Sequence, residues 1–293
     1  MTETARGIDI SRYQGKPDFA RLKREVGFVI MQAGFGRYAS QKDAEFDRNY
    51  TECRKHGIPC GAYWFSYAAS ADDARTEARA CAEVIKGRQL EYPVYYDIEG
   101  SACSGDVSAK CKAFCSELER LGWFAGIYIS RSPAQTYLDS YCTSNYALWL
   151  AEYGGRLNWA GDVGMWQNSS SGRFSGISGD VDTDICFVDY PALIRSGGFN
   201  GFEKPSGAEV LDNSGYRRGD KSLGVYAYKQ MLILAKKLGI IGQTVDDNGS
   251  FGAGTEKATN ALLGEWGYEQ NGIAGERLIK RLREEIEKAE DES

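Results

Sequence analysis

The sequence predicts an α/β protein: an irregular TIM-like barrel of eight strands, followed by a small all-α three-helix module. Three observations carry this prediction. Up to about residue 190, short apolar runs alternate with amphipathic stretches, as βα units around a parallel sheet require. The last gaps between those runs are rich in Gly, Ser and Asn and too short for full helices. Beyond Tyr190-Pro191 the periodicity vanishes and then returns with helical spacing.

The strand candidates are 7–11, 28–34, 60–67, 93–99, 124–130, 147–153, 163–168 and 183–188. Helical patterns fill the first five gaps, at 17–25, 43–57, 71–87, 105–121 and 131–141. The gaps 154–162 and 169–182 read as loops, which gives the barrel five helices and an irregular closing side. Residues 196–218, with Ser196-Gly197-Gly198 and Pro205-Ser206-Gly207, read as a linker. Val225, Tyr228, Leu232, Ala235 and Leu238 then mark one face of a helix that Gly239 ends. Asn248-Gly249 and Asn271-Gly272 are turn signals, each before a further helix, at 255–263 and 276–286. The expected domains are therefore 1–195, the linker 196–218, and 219–293, with a charged tail at 288–293.

At 293 residues, with 42% hydrophobic and 26% charged side chains, the chain can fill a sizeable core. A net charge of −6 argues against nucleic acid as a partner, because phosphate binding draws on clustered Lys and Arg. No apolar run is long enough for membrane insertion, and Met1–Arg6 offers no apolar core for a signal peptide. The eight cysteines contain no CxxC pair and read as reduced, half-buried thiols. The single histidine, His56, sits before Gly57 at a helix end and reads as a surface cap. Zinc-dependent or Cys/His amide chemistry is thus poorly supplied, and no metal or other cofactor is expected.

The segment Tyr95-Tyr96-Asp97-Ile98-Glu99 places two acids two residues apart at the end of a strand. Side chains at i and i+2 share a face, so Tyr95, Asp97 and Glu99 should look into the lumen while Tyr96 and Ile98 pack against helices. Asp9 occupies the matching place in the first strand, and Asp182 opens the last. The C-terminal ends of barrel strands are where active sites form. Glycoside cleavage needs one carboxyl that holds a proton for the leaving oxygen and a second group that is negative. Crowding of like charges can divide those roles, and Glu99 is the expected acid. Asp9 and Asp182 could instead merely cap turns.

Gly7-Ile8-Asp9-Ile10-Ser11, Asp97-Ile98-Glu99, Gly61-Ala62-Tyr63-Trp64-Phe65, Leu148-Trp149-Leu150-Ala151, Trp166-Gln167 and Gly179-Asp180-Val181-Asp182 together resemble glycoside hydrolase family 25, the Chalaropsis-type lysozymes, across about residues 5–190. The resemblance implies a (βα)5β3 barrel and a muramidase that hydrolyses the β-1,4 bond between N-acetylmuramic acid and N-acetylglucosamine. It implies Glu99 as general acid/base and Asp97 as its partner, with Asp9 and Asp182 completing the acidic mouth. Adjacent inward Cα atoms lie about 6.6–6.8 Å apart, so the carboxyl separation could suit retention or inversion. The family favours an Asp97 that orients the sugar's own acetamido group, which gives retention.

Sugar faces pack on aromatic planes, which makes Tyr63, Trp149, Tyr95, Tyr153 and Trp166 the candidate substrate contacts. Tyr63 and Trp149 come first, and each of the five could equally be barrel core. Phe35, Tyr38 and Trp159 lie in loops and could be loop packing. Residues 219–283, with Gln230, Leu234, Leu238, Val245-Asp246-Asp247-Asn248-Gly249-Ser250-Phe251-Gly252 and Asn271-Gly272-Ile273-Ala274-Gly275, resemble a three-helix peptidoglycan-binding domain. Such a module would anchor the enzyme to bacterial peptidoglycan; the alternative is a helical appendage packed on the barrel. The whole looks like a phage endolysin, held in the host cytoplasm until it is released to the wall. A bacterial autolysin and a catalytically inactive, lectin-like wall-binding barrel are the alternatives.

Overall fold

The computed structural model describes residues 2–203 and 209–291. The linker signal Pro205-Ser206-Gly207 and the last two residues of the charged tail lie outside the described residues. The chain divides into two compact units, one of residues 1–194 with Phe199–Phe202, the other of Arg195–Gly198 with Glu203–Ser293. No helix among the described residues is long and apolar enough to cross a membrane.

The first unit is a closed barrel of β1 (Ala5–Ile10), β2 (Phe28–Phe35), β3 (Cys60–Phe65), β4 (Val94–Asp97), β5 (Ala125–Ser130), β6 (Ala147–Ala151), β7 (Met165–Gly172) and β8 (Val181–Cys186), paired in chain order. Its helices are α1 (Phe19–Leu22), α2 (Phe46–His56), α3 (Ala71–Ile85), α4 (Val107–Arg120), α5 (Arg131–Tyr137), α6 (Ser140–Asn145) and α7 (Tyr190–Gly197), which crosses into the residues of the second unit. Strands β1 to β7 run parallel, whereas β8 is antiparallel to both β7 and β1. A parallel return needs a crossover of a dozen or more residues. Residues 173–180 are too few for one, so β7 and β8 form a hairpin.

Alternation along the strands divides the apolar residues into two layers. Ile8, Val29, Trp64, Val94, Tyr96, Ile98, Ile127 and Leu148 face outward, into the layer that also holds the helix residues Ala78, Cys81, Phe114 and Leu118. Phe28, Ile30, Tyr95, Tyr128, Trp149, Met165 and Cys186 face the lumen. The expected inward Tyr95 and outward Tyr96 and Ile98 are both present. Large rings fit inside because their strand neighbours are small. Gly126 stands in register with Tyr95, and a Cβ there would lie 2.5 Å from its ring.

His56 is the last residue of α2, closed by the left-handed Gly57 (φ 63°), with Nε2 3.3 Å from Glu52. It is the expected helix-end cap. All eight cysteines are free, and only Cys103 is not fully buried.

In the second unit α8 (Leu223–Lys237), α9 (Ala253–Glu265) and α10 (Glu276–Asp291) surround Val225, Tyr228, Leu232, Phe251, Leu262, Leu278 and Leu282. The paired turn signals form the same device twice. The Asn248 side chain accepts from Ser250 N at 2.8 Å before α9, and the Asn271 side chain accepts from Ile273 N at 3.1 Å before α10. Fully buried Lys229 holds the first turn, donating to Asn248 Oδ1 at 3.0 Å and Ser250 O at 2.9 Å beside its ion pair with Asp246.

The expected linker 196–218 is corrected in large part. Asn200 is buried, its amide donating to Leu90 O (3.0 Å) and Tyr92 O (2.9 Å) and its Oδ1 accepting from Phe124 N (2.7 Å). A side-chain amide can thus complete a backbone ladder, which composition alone does not display. Further on, Leu211 joins the second core, Tyr216 pairs with Ala274, and Asp212 accepts from Leu278 N at 3.1 Å.

Candidate active site

The site lies at the end of the barrel to which the C-termini of β1 to β7 point. Asp9 is the penultimate residue of β1 and stands in register with Asp182 on antiparallel β8. Asp97 is the last residue of β4. Glu99, two residues on, keeps extended backbone angles (φ −145°, ψ 179°) and begins the 3-10 turn Gly100–Ala102. The strand is thus shorter than the expected 93–99, yet the alternation that carries both acids continues past its end.

The acids differ in their contact with water. Glu99 is exposed and Asp182 half-buried, whereas Asp97 and Asp9 retain only 5% and 6% of their surface. A fifth carboxyl, Asp184, is 1% exposed. Sequence reasoning missed it, although it lies two residues from Asp182 on the same strand. Its Oδ1 accepts from Trp149 Nε1 at 2.8 Å, and its Oδ2 is buried without a hydrogen-bond partner among the described residues.

A chain of polar groups, also missed, orients Asp9. The Tyr128 and Tyr153 hydroxyls donate to Gln167 Oε1 at 2.9 and 3.2 Å, which turns the Gln167 amide so that Nε2 donates to Asp9 Oδ2 at 2.7 Å. Asp97 has no such support, and its Oδ1 is buried without a hydrogen-bond partner among the described residues.

Burial and crowding raise the whole group. Loss of hydration, then the charges of Asp182 and Glu99, push Asp9 up to about 8 against the opposing bond from Gln167. Asp97 lies well above the ordinary carboxyl range through burial, then Glu99 and Asp9. Asp184 does so through burial and then Asp9. Glu99 is raised by loss of hydration in the mouth and then by Asp182, which is itself raised by burial. The mouth therefore holds its protons more tightly than free carboxyls do and can present an acid beside a carboxylate.

These raised values have a cost that can be measured. A folded state that binds a proton more tightly than the unfolded chain is favoured below the ordinary carboxyl range, and that advantage is lost as pH rises through about 8 for Asp9. Asp184→Asn keeps an acceptor for Trp149 while removing one buried acid whose Oδ2 has no partner among the described residues. It is expected to leave stability at pH 4 almost unchanged and to raise it by roughly 1–3 kcal/mol at pH 8. Urea denaturation at both pH values checks this, and equal effects at the two would contradict it.

The candidate aromatic contacts separate. Tyr63 is half-buried, 6.3 Å edge-on from Trp149, and its phenol is raised by burial and by the nearby Asp9 and Asp97. Tyr153 is exposed at the rim. Tyr95 and Trp149 are sealed beneath the pocket and form its floor, so neither has a face free for a sugar. Trp166 is corrected on parity: Met165 and Gln167 face inward, so Trp166 faces out, its Nε1 donating to Glu152 O at 2.7 Å. Phe35 ends β2 instead of lying in a loop, and with Phe65 at the end of β3 and exposed Tyr67 on the loop beyond it forms an aromatic cluster, the two phenylalanine rings 5.9 and 5.2 Å from Tyr67. Among the described residues no group of three or more His, Cys, Asp or Glu is arranged to hold a metal ion.

A closed barrel whose mouth gathers carboxyls of unequal burial at the ends of β1, β4 and β8 has the design of a glycoside hydrolase. Residues 8–177 match the family described as Glycosyl hydrolases family 25, and the chain belongs to that family. It is 28% identical over 204 residues to Lysozyme M1 of Streptomyces globisporus, covering 62% of this chain and 67% of that one. It is also 28% identical, with a TM-score of 0.56, to the modular autolysin LytC of Streptococcus pneumoniae, solved in complex with a synthetic peptidoglycan ligand. That match covers 62% of this chain and 46% of LytC, so this chain corresponds to less than half of that protein. The CTP1L endolysin, 21% identical, shares the fold with a TM-score of 0.60 over 97% of this chain and its own full length.

Proposed function

We propose that the protein is a muramidase that hydrolyses the β-1,4 bond between N-acetylmuramic acid and N-acetylglucosamine in bacterial peptidoglycan. The observation that carries this reading is the pairing of exposed Glu99 with buried Asp97 on one inward face, one of them in contact with water and the other holding an unused acceptor. A sugar's 2-acetamido N–H is the kind of donor Asp97 Oδ1 lacks. That hydrogen bond would favour the ionised form of Asp97 and leave the mobile proton on Glu99, beside the leaving oxygen. Asp97 then aligns the acetamido carbonyl on the anomeric carbon, while Asp9 and Asp182 keep the mouth negative and Tyr63 and Tyr153 meet the sugar faces.

The family membership and the lysozyme and autolysin relatives support peptidoglycan as the substrate. The second unit, with its duplicated Asn-Gly turns before α9 and α10, would hold the enzyme on the wall and raise the local concentration of glycan. We read the whole as an endolysin of phage origin, kept in the host cytoplasm until release. Eight free cysteines suit a reducing compartment.

The bond cleaved is tested by digesting purified walls, reducing the new ends with borohydride and identifying the sugar alcohol. Muramitol is expected. Glucosaminitol would make the enzyme a glucosaminidase, and the absence of new reducing ends would favour a lectin-like barrel.

A further inference from the structure

Lys110 lies on α4 and is 1% exposed. Its ammonium donates to three backbone carbonyls, those of Ala102, Ser104 (2.7 Å) and Ala68 (3.3 Å). Its three protons thus meet three acceptors, an expensive use of a buried cation that an apolar side chain of similar length would avoid. Ala102 and Ser104 belong to the segment that follows Glu99, and that segment is bounded by two glycines in the left-handed region, Gly100 (φ 55°) and Gly105 (φ 64°). Ala68 belongs to the loop after β3. There Ser66 N donates to Asp97 O at 2.9 Å, and buried Glu77 accepts from Ser66 Oγ (3.0 Å), Tyr67 N (2.8 Å) and the Tyr96 hydroxyl (2.9 Å).

The consequence for Glu99 follows from what holds it. Its carboxyl accepts no hydrogen bond among the described residues, so its position is set by its own backbone at the start of the 3-10 turn. We propose that Lys110 is a positioning residue for the reaction: it ties the glycine-bounded turn that starts at Glu99 to the rigid loop that supports Asp97, and so fixes the spacing of the two acids. The proposal rests on the assignment of Glu99 as general acid. A pivot of the turn by about 1 Å would be enough to cost on the order of 100-fold in rate.

The test compares Lys110→Met, which keeps the buried stem and removes the donors, with Lys110→Arg and Glu99→Gln in the full chain. Lys110→Met is expected to lower kcat on walls at least tenfold with KM unchanged. The alkaline limb of its pH profile should move to lower pH, because a loosened turn lets the Glu99 carboxyl swing away from Asp182 and the sheltered side of the mouth. Lys110→Arg, which restores donors, should recover part of the loss. If Lys110→Met does not fold, Lys110→Gln, which keeps two donors on a shorter stem, is measured for the same split. A folded variant with wild-type kcat and pH profile overturns the proposal, as does a loss that tracks thermal stability alone without moving the pH limb. An active Glu99→Gln would overturn the assignment of the acid itself, which separates the two failures.

Discussion

Glu99→Gln is expected to lower kcat on purified walls by about 10²–10⁴-fold, the range that a positioned general acid contributes. Binding to walls and thermal stability should stay close to wild type. Glu99 is exposed and makes no side-chain hydrogen bond among the described residues, so glutamine leaves no partner unsatisfied and opens no cavity. What is lost is the transferable proton. Turbidity clearing, a wall pull-down and a melting curve measured together check the prediction. In the wild type the alkaline limb of activity should lie above the ordinary glutamic acid range, because loss of hydration and the charge of Asp182 both hold the proton on Glu99. Asp182→Asn should move that limb to lower pH. Clearing by Glu99→Gln at the wild-type rate would remove Glu99 as the acid.

Much of this site is legible in the sequence because a strand has a period of two. That rule puts Tyr95 and Asp97 in the lumen and Tyr96 and Ile98 against the helices without any three-dimensional information. The same rule, carried to Val181–Cys186, would have added Asp184 from its spacing to Asp182, and carried to Met165-Trp166-Gln167 it would have turned Trp166 outward. Other features have no local signature. Strand direction does not alter the alternation, so antiparallel β8 shows only in the shortness of residues 173–180. Fractional burial along a strand depends on what closes the barrel below, which is why Trp149 reads as a ligand platform and is floor. A lysine on an amphipathic helix reads as solvated, so buried Lys110 and Lys229 are visible only through the carbonyls and side chains they hold.

Asp97→Asn is expected to produce the second large loss, about 10²-fold in kcat, with a different pH signature. Asparagine is nearly isosteric and can still present an oxygen to an acetamido N–H, so KM should change little. The negative charge that builds up the nucleophilicity of the acetamido carbonyl is absent, and with it the acid limb that reports ionisation of Asp97 in the complex. The alkaline limb should remain, because Glu99 is raised by loss of hydration and by Asp182, with no contribution from Asp97. Removal of a buried acid raised by burial, Glu99 and Asp9 should also make the folded barrel more stable near neutral pH, so the variant trades stability against rate. In the wild type, an acetamido nucleophile requires two displacements at the anomeric carbon, and the first product observed by NMR should keep the configuration of the substrate. An inverted first product would assign Asp97 to the activation of water instead, and an Asp97→Asn enzyme that retains its acid limb would show that the limb reports another group.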